Sequence, residues 1–79
     1  FIHLLYTMKK IKKIKIKLNG KIKSINDDYK IQTLLEELNI PLKKVAIELN
    51  QEILDKKKLS IIKLKKNDII EIVHFIGGG

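Results

Sequence analysis

The residues best placed to do chemistry are the last three of the sequence, Gly77, Gly78 and Gly79. They follow residues 69–76, an apolar segment rich in β-branched residues that predicts a strand. Because glycine has no Cβ, a glycine tail can enter a channel too narrow for any other residue. We therefore expect the α-carboxylate of Gly79 to be the reactive group, with Gly77 and Gly78 threading it into a partner. The three glycines alone leave open a cloning remnant or a frayed end.

No other group in the sequence has the setting of a catalytic or metal-binding residue. The chain has no cysteine, and its two histidines, His3 and His74, are too far apart in sequence to form a metal site by themselves. Asp27, Asp28 and Asp68 occur where turns and helix caps require such residues. The sequence thus predicts a protein that is not an enzyme and binds no metal or cofactor of its own. It would act as a substrate or carrier for partner enzymes.

The charge of the chain limits the kinds of partner that it can recognise. The net charge is +8, and all 17 basic residues are lysine. Arginine, the usual residue for bidentate recognition of bases and phosphates, is absent. With two tyrosines and two phenylalanines, the chain offers no platform for base stacking. We expect weak steering towards acidic partners and no specific nucleic-acid binding, but the lysine run from Lys9 to Lys23 leaves a basic RNA-binding module as an alternative.

The start of the sequence does not share the pattern of the rest. No apolar run approaches the ~20 residues of a membrane span, and the apolar residues 1–7 precede the lysines, the reverse of a signal peptide. The expected location is the cytoplasm, with the plastid stroma as the alternative. We predict an N-terminal extension over residues 1–12, partly leader-like or cloning-derived, a folded domain over residues 13–76, and the glycine tail over residues 77–79.

The elements that must position the tail follow from the periodicity of the apolar residues. Residues 13–18 alternate, and Asn19-Gly20 predicts a type I′ hairpin turn into a second strand. Asp28 is the expected N-cap of a helix. The apolar stripe of this helix falls at i, i+3, i+4 and i+7 and consists of Ile31, Leu34, Leu35 and Leu38. Asn39 and Pro41 should end it.

The order strand, strand, helix, strand, short connection, strand predicts an α+β fold. A small mixed sheet would carry the amphipathic helix on one face, with the first and last strands parallel at its centre. This is the ubiquitin-like β-grasp arrangement, here with an extended glycine tail after the last strand.

Alternation in the last strand also predicts a docking surface. Glu71 marks its own face of the sheet as solvated, because an unpaired buried carboxylate is costly. Val73 and Phe75 share that face and should be exposed next to the tail, and Ala46 on the adjoining strand should extend the same apolar patch. An exposed apolar patch beside a reactive terminus is a candidate site of partner docking.

Four segments together resemble the ThiS family of ubiquitin-like sulfur carrier proteins in thiamine (thiazole) biosynthesis. They are Ile16-Lys17-Leu18-Asn19-Gly20, the helix stripe, Val45-Ala46-Ile47-x-Leu49-Asn50-Gln51-Glu52-Ile53, and Asn67-Asp68-x-Ile70-Glu71-Ile72-Val73 leading to the glycines. The resemblance covers residues 13–79. The sequence departs from the family pattern at Asn67, where the family usually has glycine before the aspartate; asparagine also tolerates the left-handed backbone.

The resemblance implies a cycle of sulfur transfer. A ThiF-like adenylyltransferase would use ATP to adenylate the carboxylate of Gly79, and a persulfide or sulfide donor would displace AMP to leave a thiocarboxylate. A ThiG-like thiazole synthase would then take the sulfur into the thiazole ring. The small subunit of molybdopterin synthase, also a β-grasp protein ending in Gly-Gly, is the alternative with the same chemistry.

Overall fold

A β-hairpin begins the described part of the fold. The computed structural model describes residues 12–75, so the glycine tail and nearly all of the N-terminal extension lie outside the described residues. Strands β1 (Lys13–Leu18) and β2 (Lys21–Asn26) pair antiparallel. The turn residues Asn19 and Gly20 have φ values of 46° and 81°, as a type I′ turn requires. The predicted hairpin is confirmed.

Helix α1 (Ile31–Glu37) packs its predicted stripe on the sheet, but its start differs from the prediction. The N-cap is Lys30, which makes no side-chain capping bond, and not Asp28. The reason is that carbonyl groups of a distant loop accept the first free helical N–H groups. The N–H of Ile31 donates to the Ile62 carbonyl at 3.0 Å, and that of Gln32 to the Leu59 carbonyl at 3.2 Å. A side-chain cap is therefore not needed.

The second half of the described chain supplies three strands and two short helical turns. They are the 3₁₀ turn Leu42–Lys44, β3 (Val45–Leu49), β4 (Glu52–Ile53), the 3₁₀ turn Lys56–Lys58 and β5 (Ile69–His74). Helix α1 ends as expected, with Asn39 at φ 54° two residues before Pro41. The turn before β5 has Asn67 at φ 70°, so asparagine adopts the left-handed backbone there, as expected.

The five strands form one mixed sheet in the order β2-β1-β5-β3-β4. Strands β1 and β5 are parallel at its centre, and the other pairs are antiparallel. The core lies between the sheet and α1 and is formed by Ile16, Ile25, Ile31, Leu34, Leu35, Val45, Ile47, Leu59, Leu64, Ile70 and Ile72. The predicted β-grasp fold is confirmed, and it makes β5, the strand that precedes the tail in sequence, the middle strand of the sheet.

Candidate functional site: the end of strand β5

Strand β5 is paired unequally on its two sides, and this sets where the chain leaves the sheet. On one side β3 accompanies it from Ile70 to His74. On the other side β1 pairs with Ile69 and Ile70 and then turns away at Asn19. The second half of β5 therefore extends beyond β1, towards the glycine tail.

The side chain of Asn19 replaces β1 where that strand turns away. Its Oδ1 accepts the N–H of Ile72 at 2.7 Å, and its Nδ2 donates to the Ile72 carbonyl at 3.3 Å. A side-chain amide thus satisfies the two backbone groups that a longer β1 would have paired. Asn19 was predicted from the sequence as a turn residue, and its bonds to a residue 53 positions away were not foreseen.

A second asparagine fixes the start of β5. Asn50 accepts the N–H of Ile69 through Oδ1 at 2.9 Å, and its Nδ2 donates to Asp68 at 3.0 Å. Its backbone N–H donates to the Ile69 carbonyl at 2.7 Å. The other carboxylate oxygen of Asp68 accepts the N–H of Lys65 at 2.7 Å and closes the turn before the strand. Asp68 is therefore a structural turn residue.

The predicted apolar residues lie together on the open face of the sheet, the face opposite α1. Val73 and Ala46 are directly opposite each other on β5 and β3. Val73 is 50% and Phe75 57% exposed, and Ala46 is half-buried. Ile70 and Ile72, the alternate residues of β5, are buried beneath the helix. We call Ala46, Val73 and Phe75 the docking patch; its exposure is as predicted, and its role in docking stays a prediction.

Phe75, the last described residue, is held by two contacts that the sequence did not reveal. Its backbone N–H donates to the Lys44 carbonyl at 2.8 Å, which continues the pairing with β3. The ammonium group of Lys56 lies 5.5 Å from the centre of its ring, within cation–π range. The same ammonium donates to the carbonyl of Leu42. The ring is therefore partly packed against the domain at the point where the tail begins.

The open face also carries two carboxylates opposite each other. Glu48 on β3 and Glu71 on β5 are register partners. Glu71 is exposed, as predicted, and Glu48 is half-buried. Like charges directly opposite each other in an antiparallel pair destabilise a sheet. The solvated face was predicted for Glu71, and the strand register shows that Glu48 faces it, next to the docking patch.

The remaining predicted site residues are distributed as follows. Gly77, Gly78 and Gly79 lie outside the described residues, so their roles stay predictions. Within residues 12–75, no group of three or more histidine, aspartate or glutamate side chains is arranged to hold a metal ion. In the same part of the chain, no helix is long and apolar enough to span a membrane.

Comparison with known proteins gives the same assignment along nearly the whole chain. A profile of the ThiS family matches residues 16–79. The sulfur carrier protein ThiS of Bacillus subtilis is 43% identical over 65 residues, which are 81% of this chain and 98% of that protein. A thiazole synthase of Paramagnetospirillum magneticum is 36% identical over 66 residues, which are 84% of this chain but 20% of that enzyme.

The fold comparison agrees. The crystal structure of the thiamine biosynthesis protein ThiS from Geobacter metallireducens superposes with a TM-score of 0.74 at 28% identity, and the match covers 84% of this chain and all of the other. The fold is that of a small ubiquitin-like β-grasp protein. Within that class, the chain belongs to the ThiS family.

Proposed function

We propose that the protein is the sulfur carrier of thiamine biosynthesis and that the carboxylate of Gly79 carries the sulfur. The observation that supports this most strongly is the ThiS family match, which runs through β5 to Gly79 and so includes the glycines. The similarity of the chain to parts of thiazole synthases favours the thiazole pathway over molybdopterin synthesis.

The chemistry follows from the poor reactivity of a carboxylate as an acyl donor. Attack of the Gly79 carboxylate on the α-phosphorus of ATP, with release of pyrophosphate, would give an acyl adenylate with AMP as a good leaving group. Sulfide would then add to the carbonyl and displace AMP, leaving a thiocarboxylate. A persulfide donor would give an acyl disulfide, which a thiol would cleave to the same product.

The catalytic groups for these steps belong to the partners. A ThiF-like adenylyltransferase would bind ATP and catalyse adenylation, and a ThiG-like thiazole synthase would accept the sulfur. Gly77 and Gly78 would allow the tail to pass through narrow channels in both enzymes, since neither residue has a Cβ. The docking patch would hold the domain against each partner while the tail is inside. We expect these steps in the cytoplasm, or in the plastid stroma as the alternative.

The test is a reconstitution read by mass. The protein is incubated with ATP, an adenylyltransferase of the ThiF type and a sulfide source, and its intact mass is measured. A gain equal to one oxygen-to-sulfur exchange, located at Gly79 by fragmentation, is expected. A molybdopterin-pathway adenylyltransferase serves as the comparison enzyme, and faster conversion by it would favour the alternative carrier.

A further inference from the structure

The turn between β1 and β2 consists of Asn19 and Gly20, a pair of residues with a reactivity of its own. The backbone nitrogen that follows an asparagine can attack the Cγ of the asparagine side chain and close a cyclic imide. A side chain on the following residue hinders this attack, and glycine has none. Of the five asparagines in the chain, only Asn19 precedes a glycine. The other four, each followed by a residue with a side chain, are Asn26, Asn39, Asn50 and Asn67.

The space around the turn is open, whereas the side chain of Asn19 is engaged. Both turn residues are exposed, and a Cβ placed on Gly20 would have no heavy atom within 4 Å. The amide of Asn19, however, is bound to the backbone of Ile72 through Oδ1 at 2.7 Å and through Nδ2 at 3.3 Å. Ring closure expels Nδ2 and brings Cγ against the nitrogen of Gly20, so the amide must first leave Ile72. The bonds that hold β5 therefore also oppose the reaction.

We propose that Asn19-Gly20 is a site of spontaneous deamidation, that the folded chain suppresses the reaction through Ile72, and that the reaction releases Ile72 from β1. The deprotonated nitrogen of Gly20 forms a bond to Cγ, the bond from Cγ to Nδ2 breaks, and Nδ2 leaves as ammonia with a proton from water. Water then opens the imide at one of its two carbonyls and gives aspartate or isoaspartate. No oxidant, reductant or enzyme is required, and the reaction is independent of sulfur transfer.

The two products change the contact with β5 to different degrees. In the aspartyl product an oxygen replaces Nδ2 opposite the Ile72 carbonyl, so an attractive contact becomes a repulsive one, while an acceptor for the Ile72 N–H is kept. In the isoaspartyl product the main chain runs through the former side chain. The two-residue turn is then longer by one methylene, and no amide or carboxylate remains in place to bind Ile72. The isoaspartyl product therefore frees the half of β5 that extends beyond β1.

The experiment follows deamidation of the whole chain in mildly alkaline buffer, with and without enough guanidinium chloride to unfold it. Trypsin cuts after lysine, so residues 18–21 form one peptide and each of the other four asparagines falls in a peptide of its own. In the unfolded chain, Asn19 should convert at least about tenfold faster than each other asparagine, and Gly20→Ala should remove this advantage. In the folded chain, Asn19 should convert at least about tenfold more slowly than in the unfolded chain.

The consequence for β5 is measured on the separated products. The isoaspartyl product should show faster hydrogen exchange of the Ile72 amide and a lower urea midpoint than the unmodified chain. Asn19→Asp, which keeps the main chain and one acceptor, is the matched control and should give values between those of the unmodified chain and the isoaspartyl product.

Each part of the proposal can fail separately. Conversion of Asn19 no faster than that of the other asparagines in the unfolded chain would show that the turn is not a deamidation site. Equal rates in the folded and unfolded chains would show that the bonds to Ile72 give no protection. An isoaspartyl product with unchanged exchange at Ile72 and an unchanged midpoint would overturn the predicted release of β5. None of these results bears on sulfur transfer.

Discussion

Replacing Phe75 with alanine should damage partner binding far more than folding. The side chain is 57% exposed. If a phenylalanine offers about 200 Å², about 110 Å² remain for a partner to cover. At ~25 cal/mol per Å², this area corresponds to about 3 kcal/mol as an upper limit. Central interface aromatics often contribute on this scale, so Phe75→Ala should raise the dissociation constant for the thiazole synthase between about fivefold and a hundredfold.

The cost to folding should be small because the ring is not part of the core. The ammonium group of Lys56 lies 5.5 Å from the centre of the ring, and an exposed cation–π pair contributes about 0.5–1 kcal/mol. The backbone bond from Phe75 to Lys44 survives in alanine. The melting temperature should therefore fall by a few degrees, at most about 8 °C for a domain of this size.

Calorimetric titration with the synthase measures the dissociation constant, and a thermal melt followed by circular dichroism measures the melting temperature. Ile22→Ala is the matched control, because Ile22 is 72% exposed on the open face of β2, away from the tail. Ile22→Ala should leave the dissociation constant and the melting temperature nearly unchanged. If Phe75→Ala unfolds the domain, the assignment of faces is wrong. If it alters neither stability nor binding, docking lies elsewhere and the glycine tail alone is recognised.

Three further predictions concern other positions. Asn19→Gly keeps a residue that tolerates positive φ but removes both bonds to Ile72, so urea unfolding should show a loss of about 1–3 kcal/mol; an unchanged midpoint would contradict the role of Asn19. Gly78→Val adds a β-branched side chain to the tail and should slow adenylation by at least about tenfold without changing the melting temperature, and an unchanged rate would show a wide channel. The hydrogen bond from Tyr29 to Glu37, at 2.7 Å, raises the pKa of Tyr29 above 10.0. The bond therefore contributes to the free energy of unfolding below pH 10, and this contribution is lost as the pH rises through the pKa of Tyr29 in the folded protein. In Tyr29→Phe, unfolding measurements should no longer show this loss of stability at alkaline pH.

The local parts of the fold could be predicted from the sequence because short-range patterns determine them. The Asn19-Gly20 turn needs two residues at positive φ, and alternation in β5 separates Ile70 and Ile72 from Val73 and Phe75. These features depend on neighbours within a few positions, so a single sequence contains them. The exposure of the docking patch followed from the same alternation.

The features that were missed depend on residues far apart in the chain. Asp28 looked like the helix cap, but carbonyls of Leu59 and Ile62 accept the first helical N–H groups. The contact of Lys56 with Phe75 depends on the path of the loop after β4. The pairing of Glu48 with Glu71 depends on strand register, which composition does not reveal. Contacts of this kind join residues that are distant in the sequence, so they can be identified only in the folded structure.

The central claim is that sulfur is carried on the carboxylate of Gly79, and an intact-mass measurement on two proteins tests it most directly. Wild type and a variant with one alanine added after Gly79 are each incubated with the adenylyltransferase, ATP and sulfide. Wild type should gain the mass of one oxygen-to-sulfur exchange, mapped to Gly79, and the extended variant, with an unchanged circular dichroism spectrum, should gain none. A thiocarboxylate on the extended variant, or its absence from wild type that binds the adenylyltransferase normally, would contradict the account.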